Sequence, residues 1–157
     1  MSHPPRLVTS SRVARKVYFS FHYDRDSWRV SQVRNCKVVG GYEMNPFYDK
    51  AKWEQVKREG DAAIKRWIDE QLKGTSVTVV LIGQDTSKRR WVRYEIEQSI
   101  ALGKGLLGID ISKINNQFGH TDETGINPLP RVYAYYGWNR DDGRANLGRW
   151  IEAAAPR

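Results

Sequence analysis

A single cysteine, Cys36, in 157 residues excludes an intramolecular disulfide and any zinc or iron–sulfur site that needs several thiolates. The histidines, His3, His22 and His120, lie far apart and show no ligand spacing, so no metal site is expected. Long apolar runs are also missing. The longest, Val77 to Ile82, is broken by Thr78 and falls far short of the ~20 residues a membrane helix needs. The opening MSHPPRLVTSSRVARK has no apolar stretch of the kind a secretory signal carries. Together with the lone thiol, these absences make a cytoplasmic protein the expectation. There is no G-x-x-x-x-G-K-[ST] phosphate loop, no internal repeat and no low-complexity segment.

What is abundant is positive charge and aromatic side chains. Lys and Arg number 26 against 18 Asp and Glu, a net +8. A basic balance of this size is the footprint of many nucleic-acid binders. Half of it, however, falls in the first 16 residues, on Arg6, Arg12, Arg15 and Lys16. Residues 1–15, with Pro4 and Pro5, read as a basic leader expected to fray. Residues 16–157 then form one domain, in keeping with the usual size of domains. Hydrophobic residues at 39% and six Trp supply enough apolar surface for a folded core.

Hydrophobic periodicity divides the domain. Lys16–Phe21 is β-branched and aromatic, and reads as a first strand. A helix carrying Trp28, Val30 and Val33 follows, up to Asn35. Residues 37–50, with Gly40, Gly41, Asn45 and Pro46, read as a long irregular connection. Residues 52–72 form the clearest helix, interrupted by Gly60 at a cost near 1 kcal/mol relative to Ala. Ser76–Ile82 lacks polar alternation, as a central parallel strand buried on both faces would. A turn at 83–87, a helix at 88–102 and a strand at 106–111 follow. Then come a loop from Asn115 to Pro130, an edge strand within Val132–Trp138 and a short helix within Gly143–Ala155. This alternation predicts an α/β three-layer sandwich with a central, mostly parallel sheet. Ligands in such sheets bind beyond the strand carboxyl ends, which directs attention to 20–28, 83–95 and 110–120.

Two motifs need weighing. Gly103-Lys-Gly105-Leu-Leu-Gly108 matches G-x-G-x-x-G, but here a helix precedes and a strand follows. A dinucleotide fingerprint needs the reverse order, so that phosphate meets a helix N-terminus. A phospho-receiver domain shares the α/β pattern, yet its acidic residues are absent from the ends of the first and central strands. The helix at 88–102 is more informative. Trp91 and Glu95 are one turn apart and share a face. Val92, Ile96 and Ile100 make a neighbouring apolar stripe suited to the sheet, and Lys88, Arg89, Arg90 and Arg93 could attract phosphate. Glu97 lies about 200° around the helix from Glu95 and points elsewhere. By spacing alone, an ordinary amphipathic helix accounts for all of this.

Val17-Tyr-Phe-Ser-Phe21-His-Tyr-Asp24 resembles the opening strand and loop of TIR and TIR-like domains. Trp91-Val-Arg-Tyr-Glu95-Ile96 resembles the segment that carries the glutamate of NAD-cleaving TIR domains. Ser20–Tyr23, Val33–Asn35, Thr75–Thr78, Val80–Gly83 and Arg89–Ile96 together resemble the bacterial TIR-like sensors of Thoeris antiphage defence, over about residues 17–112. The resemblance implies a flavodoxin-like sheet and cleavage of the nicotinamide–ribose bond of NAD. It further implies a cyclic or modified ADP-ribose signal that activates a separate effector, with a phage-derived trigger. NAD would be substrate, with no resident cofactor. In that family a neighbouring copy commonly completes the active site, so self-association is a further expectation.

The residues suit that chemistry. Nicotinamide leaves from a ring that is already cationic, so the paired acid of ordinary glycosidases is not required. One carboxylate, Glu95, would stabilise the oxocarbenium-like transition state. Trp91 would offer a flat face to a substrate ring, and Phe21, His22 and Tyr23 would line the opposite wall. Ser20, Asp24, Asn35 and Asp85 complete the expected substrate contacts. The alternatives are a non-catalytic TIR-like module that binds proteins or a nucleotide, and a nucleic-acid binder resting on the charge and leader.

Overall fold

The computed structural model describes residues 15–36, 43–44 and 50–156. Most of the expected leader and most of the 37–50 connection lie outside the described residues. Among the described residues there are five strands: β1 (Lys16–Ser20), β2 (Glu43–Met44), β3 (Val77–Ile82), β4 (Gly105–Asp110) and β5 (Ala134–Gly137). The α-helices of the described residues are α1 (Tyr23–Arg34), α2 (Lys50–Arg58), α3 (Asp61–Lys73), α4 (Arg90–Ala101) and α5 (Gly143–Ala154). A short 3-10 turn, Thr86–Lys88, precedes α4. The strand order is β2-β1-β3-β4-β5, and every pair is parallel.

The period of two along each strand sorts side chains onto two faces. Val17, Phe19, Val77, Val79, Leu81, Leu107 and Ile109 face α1 and α5, where they meet Val30, Val33, Leu147, Trp150 and Ile151. Tyr18 points the other way, into α2 and α3, among Trp53, Val56, Ile64, Ile68 and Leu72. Val80, Ile82 and Leu106 meet Val92 and Ile96 of α4. All six residues of β3 are buried, which explains its lack of polar alternation.

Several expectations shift. The connection at 37–50 contains the two-residue β2, paired with Lys16 and Val17. The single helix expected at 52–72 is two, because Gly60 has φ +98°, a conformation no helix interior accommodates. Trp28 is 48% exposed while Val30 and Val33 are buried, so α1 turns Trp28 outward. Ile100 is likewise 40% exposed, and the inward position beside it belongs to Ser99. Arg15, at the end of the expected leader, is bonded to Glu152 at 3.0 Å. No helix among the described residues is long and apolar enough to cross a membrane.

The glycines of the G-x-G-x-x-G pattern serve packing. Gly103 has φ +69° and terminates α4. A Cβ on Gly105 would lie 2.1 Å from the Ala154 carbonyl oxygen, so β4 and the end of α5 approach too closely for any side chain. Gly105→Ala is expected to cost about 2 kcal/mol by forcing those backbones apart. Urea unfolding should show a lower midpoint at unchanged slope; an unaltered midpoint would mean that α5 gives way freely.

The strand order reverses direction between β1 and β3. In open parallel sheets this switch point leaves a crevice beyond the strand carboxyl ends, where ligands bind. Ser20 ends β1 there, and α4 follows β3.

Candidate active site

Tyr18 and Ser20 are two residues apart on β1, so both side chains leave the sheet on the face that α4 covers. Glu95 lies in the second turn of α4 directly opposite them, only 4% exposed. The Ser20 hydroxyl donates to Glu95 Oε1 at 2.5 Å, and the Tyr18 hydroxyl donates to Oε2. Each carboxylate oxygen keeps a second acceptor position. The helix carrying Glu95 is itself pinned to the sheet. Ser99 Oγ donates to the Glu95 carbonyl at 2.7 Å and lies 2.8 Å from Thr78 Oγ1 of β3.

Phe21, Tyr23, Trp53, Trp91 and Val92 wall a pocket above Glu95, with Arg89 also in the lining. Four aromatic rings around one carboxylate suit a flat, cationic group, attracted both to the ring faces and to the negative charge. The enclosed space is about 20 Å³, close to that of one water. Pockets for drug-sized ligands run to about 300–1,000 Å³, so a dinucleotide needs these walls to part or a neighbour to extend them.

Burial pushes the Glu95 carboxyl up to about 7, against the opposing pull of Ser20, Tyr18 and Lys104. Lys104 is moved the other way, down to about 8, by its own burial, with Glu95 holding it up. Glu97 is exposed, as its position around the helix requires, and takes no part in this network.

The other expected site residues divide by location. Phe21, Tyr23 and Trp91 line the pocket. One face of Trp91 is already covered, by the Arg90 guanidinium 4.4 Å from the ring centroid, and Tyr94 meets the ring edge-on at 5.8 Å. His22 caps α1, its Nδ1 accepting from the Arg25 backbone N–H at 3.3 Å. Burial, and secondarily Arg89, hold its imidazole below the usual histidine value.

Asp24 and Asp85 are tied to basic side chains of α1 and of the turn that leads into α4. Asp24 pairs with Arg89 at 3.8 Å, and Asp85 with Arg25 at 3.6 Å and Lys88 at 3.4 Å. Asn35 is not brought to the pocket: it is the C-cap of α1, about 18 Å along the helix from Tyr23. Three of the four cations near Glu95 are matched by acids. Lys88, Arg89 and Arg90 have Asp85, Asp24 and Asp61 beside them, the last at 2.8 Å.

Sequence reasoning missed Tyr18, Lys104 and Trp53. Tyr18 reads as an ordinary strand aromatic, although its spacing from Ser20 already places both on one face. Trp53 fits the apolar period of its helix, and only the break at Gly60 and the docking of α2 make it a pocket wall. A second buried acid, Asp26, lies beneath the turn after β3. Its Oδ2 accepts from Thr86 Oγ1 at 3.3 Å, and burial pushes its carboxyl up to about 6.

A five-stranded parallel sheet of this order, with one buried glutamate under an aromatic pocket at the switch point, defines a TIR-like α/β domain. A family model described as "Thoeris protein ThsB, TIR-like domain" matches residues 18–116. "Putative cyclic ADP-D-ribose synthase ThsB1" of Bacillus cereus (strain MSX-D12) is 40% identical over 140 residues, covering 88% of this chain and 72% of that protein. The chain belongs to the Thoeris ThsB TIR-like family. The resemblance read from the sequence and the flavodoxin-like sheet it implied are both borne out.

Proposed function

We propose that this chain cleaves the nicotinamide–ribose bond of NAD through Glu95 and turns the ADP-ribose moiety into a cyclic or modified signal. The observation that carries this reading is the buried Glu95 carboxylate, held by two hydroxyl donors at the floor of an aromatic pocket. The name of the Bacillus cereus relative, a cyclic ADP-D-ribose synthase, supports it.

The chemistry follows from charge. The C–N bond to the cationic pyridinium breaks, and its electron pair neutralises the departing nicotinamide. Positive charge moves to the ribose ring, where ionised Glu95 stabilises it in a site largely closed to water. A nucleophile then closes on the anomeric carbon. Water gives ADP-ribose, whereas an atom of the same ADP-ribose gives a cyclic product when the pocket stays dry. NAD thus enters as substrate. The narrow pocket favours a site that a second copy extends, and the product reaches its effector by diffusion.

Incubation of the protein with NAD, followed by chromatography and mass spectrometry, tests the reading. Free nicotinamide and an equal amount of an ADP-ribose-derived product are expected. NAD left intact by concentrated protein, both alone and with extract of phage-infected cells, would overturn it. Trp91→Ala is expected to raise KM for NAD at least about fivefold by removing a pocket wall, with a smaller change in kcat. Steady-state kinetics would show whether Trp91 acts in binding or in the bond-breaking step.

A further inference from the structure

The three residues that follow α4, Leu102 to Lys104, turn a cation back against the ring of Tyr18. Gly103 N–H bonds the Ile100 carbonyl at 3.0 Å, and Lys104 N–H bonds the Ser99 carbonyl at 3.0 Å. With Gly103 at φ +69°, these bonds form a Schellman turn, which folds the chain back against its own helix. Lys104 therefore ends up only 8% exposed. Its ammonium donates to Thr75 Oγ1 and lies 5.5 Å from the centroid of the Tyr18 ring. The hydroxyl of that same ring donates to Glu95 Oε2.

We propose that Lys104 is the buried countercharge of Glu95, a positioning residue that acts through Tyr18 to keep the carboxylate ionised for the reaction. This inference rests on the function proposed above. A lysine is an expensive choice for packing alone, because an ammonium removed from water must be compensated by an opposite charge or by hydrogen bonds. Thr75 supplies one acceptor. Glu95 is the charged group that opposes the burial of Lys104, and Lys104 opposes the burial of Glu95 in return.

The other groups around the pair are consistent with that assignment. From β1 come Tyr18 and Ser20, from β3 Thr78, and from α4 Ser99, all of them uncharged hydroxyls. Arg89 lines the pocket itself and pairs with Asp24 at 3.8 Å. Lys104 does not line that pocket, so its charge reaches the carboxylate without occupying the place of the cationic ring. Placed against the Tyr18 ring, that charge favours the ionised acid from outside the pocket lining.

The test is a carbon-13 titration of the glutamate carboxyls in the full chain, with Glu95→Gln identifying the Glu95 signal. In Lys104→Met the Glu95 midpoint should rise by about one pH unit or more, and Lys104→Arg should restore most of the difference. The acidic limb of the pH–rate profile for NAD cleavage should move up by the same amount, with the plateau kcat changed less than about threefold. A Glu95 midpoint in Lys104→Met within about 0.3 of the parent would overturn the proposal, since a group coupled this closely must move its partner.

Should Lys104→Met fail to fold, the coupling is read from the other side. The Lys104 ammonium, followed by nitrogen-15 detection, should titrate at lower pH in Glu95→Gln than in the parent. Linkage makes the two shifts equal, and an unmoved lysine would overturn the proposal. These titrations need no NAD. Absence of NAD cleavage would therefore sink the proposed function while leaving the Lys104–Glu95 coupling to be decided on its own.

Discussion

Glu95→Gln is expected to lower the rate of nicotinamide release at least about 10³-fold while leaving the fold intact. Removing one preorganised partner of a developing charge commonly costs 10²–10³ in kcat, and here the lost partner is a full negative charge opposite a forming cation. The amide keeps the shape of the acid. Its oxygen still accepts one of the two hydroxyl bonds from Tyr18 and Ser20, and the other hydroxyl turns to accept from the amide nitrogen. Glu97→Gln, altering an exposed carboxyl on the far side of the helix, should stay within about twofold of the parent.

The same substitution should stabilise the protein at alkaline pH. Glu95 titrates near 7 in the folded chain and near 4.5 as a free group. Between those values the folded state holds a proton that the unfolded state has released, so stability falls as pH rises and levels off above about 7. Glutamine has no such cost. At pH 8, thermal melting of Glu95→Gln should lie above the parent, by about 4–8 °C for a gain on the order of 2 kcal/mol. At pH 4 the two should nearly coincide. Equal melting temperatures at both pH values would mean that the carboxyl is better solvated than its burial indicates.

Gly83→Ala is expected to be the most damaging single-methyl change near the site. A Cβ at Gly83 would lie 2.3 Å from Asp26 Oδ2 and 2.7 Å from its Cγ. Asp26, on the inward face of α1, is fully buried and has no solvent to swing into. The Gly83 carbonyl is confined as well, because Gly125 packs so closely that a Cβ there would approach it to 2.1 Å. Overpacking of this kind costs about 1–3 kcal/mol where neighbours yield, and the upper end is expected where they do not. A loss of about 3 kcal/mol would lower Tm by roughly 6–12 °C.

The second site decides the mechanism. Asp26→Ala removes the obstructing carboxyl, so Gly83→Ala should cost at least about 1.5 kcal/mol less in the Asp26→Ala background than in the parent. Strictly additive losses would show that the strain lies elsewhere in the turn. Asp26→Ala should also flatten the fall in stability between about 3.8 and 6, the interval over which folded Asp26 retains its proton.

Glu95 was legible before the structure because two independent signals met on it. Its one-turn spacing from Trp91 gave a shared face, and the Trp91–Ile96 phrase resembled a known glutamate segment. Ser20 was legible in the same way. The flanking acids were not, because Asp24 and Asp85 owe their surroundings to arginines on other elements, Arg89 at the start of α4 and Arg25 in α1. Partners distant along the chain leave no local pattern, and the cation cluster at 88–93 misled for that reason: its neutralising Asp24 and Asp61 come from α1 and α3.

Asn35 was grouped with the site through the phrase Val33–Asn35, but the twelve-residue length of α1 carries it away. Lys104 was hidden inside a glycine pattern set aside as a failed phosphate motif. The order of elements was sound reason to reject phosphate binding, yet only the turn geometry shows that the middle residue points inward. The sheet itself was readable because β3 and β4 are mostly apolar and show no polar alternation, whereas β2, a two-residue strand in a glycine- and proline-marked connection, carries no periodicity.

Nicotinamide release by the parent and Glu95→Gln, followed side by side from pH 5.5 to 9, tests whether ionised Glu95 carries the cleavage of NAD. The parent rate should rise through a midpoint near 7 as the buried carboxyl ionises, and the variant should stay near background at every pH. A variant whose rate overlays that of the parent across the range would contradict the account.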